Sequence, residues 1–169
     1  MRALRLFWIL MLFGPGVLAQ DIPAVNEIIL DYAQDKVGTS VGDGLCCRLV
    51  WAALEKADRG WKRKVENGDL RGDNIYGMEV DSSEVLPGDI MIWTKVVLRD
   101  GVTARNHVGI VYSVDGNGKF NCLEQNVGKN KMVDYYDRDV SEVVSGKISF
   151  YRYDKNITFV KNNHHVRTR

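Results

Sequence analysis

Patterns typical of helices and patterns typical of strands occupy different parts of this chain, and that separation constrains the fold most. Residues 23–38 and the segment that starts at Cys46 repeat apolar side chains every three or four positions, as amphipathic helices do. Five later segments are rich in β-formers and are predicted to be strands: residues 89–98, 107–114, 119–126, 131–136 and 147–153. Helices first and strands afterwards predict an α+β domain, with the N-terminal helices packed on an antiparallel sheet.

The ends of the chain differ from its middle. The first 19 residues combine two arginines, an apolar run at residues 6–13 and a small-residue ending at Ala19, which is typical of a secretory signal. The apolar run is shorter than the roughly 20 residues that span a bilayer. We therefore expect an exported protein, periplasmic or extracellular, without a membrane anchor after cleavage. The expected organisation is a signal at 1–19, one domain at 20–155 and a flexible polar and basic tail at 156–169.

Charge and residue spacing argue against several classes of protein. The 169 residues carry 23 lysines and arginines against 22 acidic residues, so there is no basic excess for nucleic-acid binding. The three cysteines and His107 lack the spacing of a zinc site, and the aspartates lack that of a calcium loop. There is no phosphate-binding or dinucleotide-binding glycine motif. We expect no metal, no cofactor and no nucleic-acid partner.

Two adjacent cysteines follow a glycine-rich loop and begin the second predicted helix. A thiol in the first turn of a helix lies near unpaired backbone N–H groups, which favour the thiolate. Cys46 is the first residue of the apolar stripe, whereas Cys47 is rotated about 100° around the helix axis. Cys46 is therefore the better candidate nucleophile. Cys122 is expected to pack in the core, with a Cys46–Cys122 disulfide as a less favoured alternative.

A thiolate nucleophile generally works with an imidazole. Two of the three histidines lie in the C-terminal tail, which leaves His107 at the start of a predicted strand. A two-residue turn within residues 116–118 places His107 opposite or near Asn126, with Glu124 on the same face of the sheet. The pattern predicts a nucleophile, a base and an orienting group.

Four segments together resemble the CHAP family of cysteine, histidine-dependent amidohydrolases and peptidases, part of the papain-like group. The resemblance covers about residues 25–153, in the order GDGLC at 42–46, LPGDI at 86–90, NHVGIV at 106–111 and LEQN at 123–126. It implies a papain-like fold in which Cys46 is the nucleophile, His107 the base, and Glu124 and Asn126 the orienting groups. It also implies hydrolysis of amide or stem-peptide bonds in peptidoglycan.

Two other functions remain open at this point. One is a papain-like module that binds peptide or glycan without cleaving it. The other is an amidase that acts on small molecules or isopeptide conjugates.

Overall fold

The computed structural model describes residues 21–156, so the predicted signal at 1–19 and residues 157–169 of the predicted tail lie outside it. Three helices come first: α1 (Ala24–Gln34), α2 (Cys46–Ala57) and the short α3 (Trp61–Glu66). None of the helices within this range is long and apolar enough to cross a membrane.

The rest of the described chain forms one antiparallel sheet of six strands, in the order β1-β6-β2-β3-β4-β5. The strands are β1 (Met78–Val80), β2 (Ile90–Leu98), β3 (Thr103–Gly116), β4 (Lys119–Glu124), β5 (Asp134–Asp139) and β6 (Val143–Arg152). The predicted α+β class, with helices packed on an antiparallel sheet, is confirmed.

The sheet separates two hydrophobic cores. On the helix side, the apolar stripe of α2 (Leu49, Val50, Ala53 and Leu54) is fully buried against residues such as Ile110 and Leu123. Burying a leucine of this size contributes about 1.5–3 kcal/mol. The opposite face carries a smaller core that includes Met91, Trp93, Phe120, Cys122 and Phe150. Since α2 is fixed by its buried stripe, its first residue is held rigidly against the sheet.

A buried polar cluster fixes the start of β2 to its neighbours. The Asp89 carboxylate is fully buried and accepts hydrogen bonds from the Asn26 side chain in α1 and from the Leu86 backbone N–H. It also accepts two hydrogen bonds from Nε and Nη2 of Arg152 in β6. The preceding Gly88 has φ +85°, and a Cβ there would collide with the Asn26 backbone. The LPGD segment therefore joins a helix and two strands.

Several stretches differ from the sequence-based expectation, including β5, predicted at 131–136 but found at Asp134–Asp139, and β6, which begins at Val143 and not at residue 147. Strand β3 begins at Thr103, four residues before the expected start, because the β2–β3 hairpin continues its ladder beyond the core with polar side chains. Residues 58–77, for which no helix or strand is predicted, contain α3 and a 3₁₀ turn, and Trp61 is buried there against Trp51. Strand β1 follows this segment and was not predicted.

The register between β3 and β4 determines which side chains meet. The turn lies at Asn117-Gly118, where Asn117 adopts the positive φ of such hairpins, and Gly116 pairs with Lys119. Two shifts in register then bring Gly109 opposite Glu124. Glu124 is thus diagonal to His107, as predicted. The expected pairing of His107 with Asn126 is not formed, because β4 ends at Glu124.

Candidate active site

Cys46 is the first residue of α2, and its sulfur faces the sheet near β3. The His107 ring and the backbone N–H groups of Val108 and Cys47 lie near this sulfur and favour its thiolate form. Cys46 also packs against the helix-side core. Backbone dipoles and an imidazole therefore converge on one half-buried thiol.

The loop that leads into Cys46 is held by Gln125, whose side chain is fully buried. Its carboxamide oxygen accepts the Val41 N–H at 2.6 Å, and its nitrogen donates to the carbonyls of Val41 and Leu45 at 3.1 and 2.8 Å. Sequence reasoning missed this residue, although its position between two candidate site residues was a signal. Gln125 ties the strand that carries Glu124 to the residue directly before Cys46.

His107 is held from the side away from the thiol by Glu124. The distance between His107 Nε2 and Glu124 Oε2 is 2.7 Å, and the imidazole is only 13% exposed. This contact occupies Nε2, so Nδ1 is the ring nitrogen available to Cys46. The Trp93 ring lies edge-on to the imidazole, with centroids 6.5 Å apart. The ring is therefore fixed in both position and tautomer.

Arg138 in β5 holds Glu124 in turn. Its guanidinium forms two charge-assisted hydrogen bonds to the carboxylate, at 2.7 and 2.6 Å, and Glu124 is fully buried. The same guanidinium lies over the rings of Trp93 and Tyr136, 5.1 Å from each centroid. Sequence reasoning also missed Arg138, because it pairs with Phe120 in the ladder and reaches Glu124 only through its length.

The electrostatics of the three groups are coupled. Burial raises the pKa of the Cys46 thiol, but hydrogen bonding and charge from His107, with the two backbone donors, bring that pKa below its ordinary value. Burial lowers the pKa of His107, but hydrogen bonds and charges from Cys46 and Glu124 raise it to about 9. Burial raises the pKa of Glu124, and Arg138 with His107 holds it below its ordinary range. The arrangement favours thiolate, imidazolium and carboxylate together.

A cleft of about 290 Å³ opens beside this pair and is lined by both Cys46 and His107. Asn126 lines the same cleft in a left-handed backbone conformation, φ +66°. No hydrogen bond from its side chain to His107 is present in residues 21–156. Of the two predicted orienting groups, Glu124 therefore contacts the ring and Asn126 lies on the cleft wall. A separate cavity of about 400 Å³ between α2 and α3 contains neither Cys46 nor His107.

The other two cysteines lie outside the cleft. Cys47 is absent from the cleft lining, and burial raises the pKa of its thiol. Cys122 is buried in the core on the far side of the sheet, and burial raises the pKa of its thiol well above the ordinary value. All three cysteines are free, so the Cys46–Cys122 disulfide considered as an alternative is not present. Within the described chain, no three His, Cys, Asp or Glu side chains form a group that could hold a metal ion.

Chemically, the arrangement combines a thiol whose pKa is lowered, an imidazole beside it whose pKa is raised, and a buried carboxylate behind the ring. These are the parts of a cysteine nucleophile with its base and an orienting group. The thiolate is the reactive form of cysteine, and here its counter-ion is also positioned to transfer a proton.

The chain was compared with solved structures, curated proteins and protein-family models. Two solved structures, described as the crystal structure of Ly7917 and that of Ly7917 with the hydrolyzing product of MDP, are 19% and 21% identical to the chain. Each has a TM-score of 0.44. These alignments cover 75% of this chain and 61% and 62% of the other chains, so the protein spans about three fifths of their length. No curated protein matches the chain.

The family model described as the AIM3/BBC1 cysteine proteinase-fold domain matches residues 18–162, which includes all of the described residues. The papain-like fold expected from the sequence is thereby confirmed at the level of the cysteine proteinase fold. The chain belongs to the AIM3/BBC1 cysteine proteinase-fold domain family.

Proposed function

We propose that the protein is a cysteine hydrolase that cleaves amide bonds, with Cys46 as nucleophile, His107 as acid and base, and Glu124 as orienting group. The observation that carries the proposal is the position of the His107 ring, which shares the cleft with Cys46 and is hydrogen-bonded to a buried carboxylate. A histidine with only a structural role does not need a half-buried thiol as partner.

The reaction follows from the charges of the resting site. The Cys46 thiolate attacks the amide carbonyl carbon, a C–S bond forms, and the carbonyl oxygen becomes negatively charged. The His107 imidazolium donates its proton to the amide nitrogen, the C–N bond breaks and the amine leaves. Neutral His107 then takes a proton from water, which attacks the thioester and releases a carboxylic acid. This step restores the thiolate and the imidazolium.

Two further groups have proposed roles in holding the substrate. The backbone N–H of Cys46, in the first turn of α2, is the proposed donor to the oxygen that becomes charged. Asn126 is the fourth proposed site residue, and its side chain is proposed to form a hydrogen bond with the substrate amide. Its strained backbone and its place on the cleft wall support this role over a contact with His107.

The proposed substrate is an amide or stem-peptide bond of peptidoglycan, met outside the cytoplasm. The CHAP-like order of segments from GDGLC to LEQN and the signal-like N-terminus support this choice. Both the CHAP assignment and the export of the protein are parts of the proposal.

The test is digestion of purified peptidoglycan by the full chain and its variants, with mass spectrometry of the released fragments. We expect fragments with new amine and carboxylate ends from the wild type and from Cys47→Ala, and none from Cys46→Ala. Binding of wild type to peptidoglycan without any Cys46-dependent fragment would favour the non-cleaving module instead. Cleavage of small amides or isopeptides alone would move the substrate away from the cell wall.

A further inference from the structure

One wall of the cleft carries a cation, Arg105, that has no partner among residues 21–156. Arg105 lies two residues before His107 in β3, so the two side chains share a face of the strand, and both line the cleft. The Arg105 guanidinium is in no ion pair, ring contact or side-chain hydrogen bond within residues 21–156. Four other arginines are each paired with a carboxylate: Arg48, Arg99, Arg138 and Arg152.

The rest of the cleft lining does not balance this charge. Arg138 also lines the cleft, but Glu124 occupies its guanidinium with two hydrogen bonds. Among the described residues that line the cleft, none is an aspartate or a glutamate. Around Arg105 the wall is uncharged, with apolar Leu98, Val102 and Ala104 and polar Thr103 and Asn106. A positively charged group on a substrate would meet repulsion here, whereas an anionic group would meet an unpaired guanidinium.

The spacing along β3 limits where that anionic group can be. Residues rise about 3.3 Å each along a strand, so Arg105 and His107 are about 6.6 Å apart along it. An extended peptide has almost the same rise per residue. The group that Arg105 contacts therefore lies within about two residues of the bond at Cys46. A guanidinium presents paired donors in a plane, which matches a carboxylate.

We propose that the cleft takes amide substrates that carry a carboxylate within about two residues of the scissile bond, and that Arg105 binds this carboxylate. The carboxylate can be the end of a peptide or an acidic side chain, since both present the same planar pair of oxygens. This inference rests on the proposed function, because it assumes that the scissile amide lies at Cys46.

Alkylation of Cys46 tests the charge preference without knowledge of the natural substrate. Iodoacetate and iodoacetamide form the same S–C bond and release the same iodide, but only iodoacetate carries a carboxylate. The measurement is the ratio of their rates at Cys46, obtained by mass spectrometry of the peptide that contains it. We expect Arg105→Gln to lower the iodoacetate-to-iodoacetamide ratio about tenfold, since a hydrogen-bonded charge is lost. Arg105→Lys should retain part of the preference.

Arg59→Gln is the matched control. It removes the same charge from an exposed arginine just beyond the C-terminal end of α2, about 18 Å of helix away from Cys46. We expect the ratio to stay within twofold of wild type there. The proposal is overturned if Arg105→Gln shifts the ratio no more than Arg59→Gln does. It is also overturned if both alkylation rates fall equally, because Arg105 would then act on the thiol itself.

A second measurement uses matched synthetic peptides with glutamate or glutamine next to the bond that the wild type cleaves. Arg105→Gln should reduce kcat/KM for the glutamate peptide about tenfold and leave the glutamine peptide within twofold. Equal losses on both peptides would contradict a role in specificity. If Cys46 shows the Arg105-dependent preference for iodoacetate but no amide is cleaved, the proposed hydrolase activity is contradicted and the carboxylate site is supported.

Discussion

Gly109 lies directly opposite Glu124 in the sheet, and the absence of a side chain at Gly109 makes room for the carboxylate that holds His107. A Cβ at position 109 would come within 2.6 Å of Glu124 Cγ. Such a contact is too close for ordinary packing, and Glu124 is fully buried, so it has no free space to retreat into.

Gly109→Ala should therefore displace Glu124 and weaken its contact with His107. We expect a loss of stability of about 1–3 kcal/mol from overpacking, with a fall in kcat larger than any change in KM. Chemical denaturation and steady-state kinetics measure the two effects. The double-mutant cycle with Glu124→Ala is the control, because the added methyl then meets no Cγ. If Gly109→Ala costs as much in that background, the clash with Glu124 is not the cause.

The pH dependence of Cys46 should report its pairing with His107. His107 lowers the pKa of the thiol, so Cys46 should react as a thiolate at lower pH than an ordinary cysteine does. The imidazolium persists until the pH passes its pKa of about 9, and hydrolysis should decline above that point because the leaving amine loses its proton donor.

His107→Asn should move the alkylation profile of Cys46 back towards the ordinary thiol range. Stopped-flow alkylation from pH 5 to 10, read at Cys46 by mass spectrometry, provides the measurement. Cys47 is an internal control, since burial raises the pKa of its thiol and it should react more slowly near neutrality. An unchanged Cys46 profile in His107→Asn would exclude the ion pair.

Much of this site could be predicted from the sequence because alternation along strands is a local property. The two-residue period placed His107 and Glu124 on one face, and the helical stripe singled out Cys46 as the start of α2. The turn and the two register shifts compensate one another, so the expected diagonal contact formed despite an irregular hairpin. Asn126 fell outside this reasoning because the strand ends before it and the backbone turns left-handed.

Other residues could not be found in this way because their partners are distant in the chain. Arg138 contacts Glu124 because its side chain is long and its guanidinium lies over the rings of Trp93 and Tyr136. Neither feature follows from a pattern of apolar positions. Asp89 reads as a turn residue in LPGD, yet it joins Asn26 and Arg152, which are 63 residues away on either side. The helix and 3₁₀ turn within residues 58–77 were not predicted because they depend on a tertiary contact, the burial of Trp61 beside Trp51.

Arg138→Gln should test how strongly the buried carboxylate depends on its counter-ion. Removing one partner of a buried ion pair leaves the other charge uncompensated, which costs about 3–5 kcal/mol. We expect this loss in denaturant unfolding at neutral pH, with a smaller loss for Arg138→Lys, which keeps the charge without the paired hydrogen bonds. The pKa of Glu124 should rise in Arg138→Gln, so the difference from wild type should shrink as the pH falls and Glu124 becomes protonated. A pH-independent difference would contradict the ion pair as its source.

Gln125→Leu should show whether the hydrogen bonds of Gln125 hold the loop before Cys46 in the position that the reactivity of Cys46 requires. The substitution keeps the buried volume roughly constant but leaves the Val41 N–H and the carbonyls of Val41 and Leu45 without their partner. Unsatisfied buried groups of this kind should cost at least about 2 kcal/mol in the free energy of unfolding, measured by denaturant titration. Because Leu45 directly precedes Cys46, the alkylation rate of Cys46 should also fall at neutral pH. Gln125→Glu keeps the acceptor for Val41 but turns a buried, unpaired carboxylate towards the carbonyls of Val41 and Leu45, so at neutral pH it should be at least as destabilised as Gln125→Leu. A destabilised Gln125→Leu whose Cys46 reacts at the wild-type rate would show that the loop is held by other contacts.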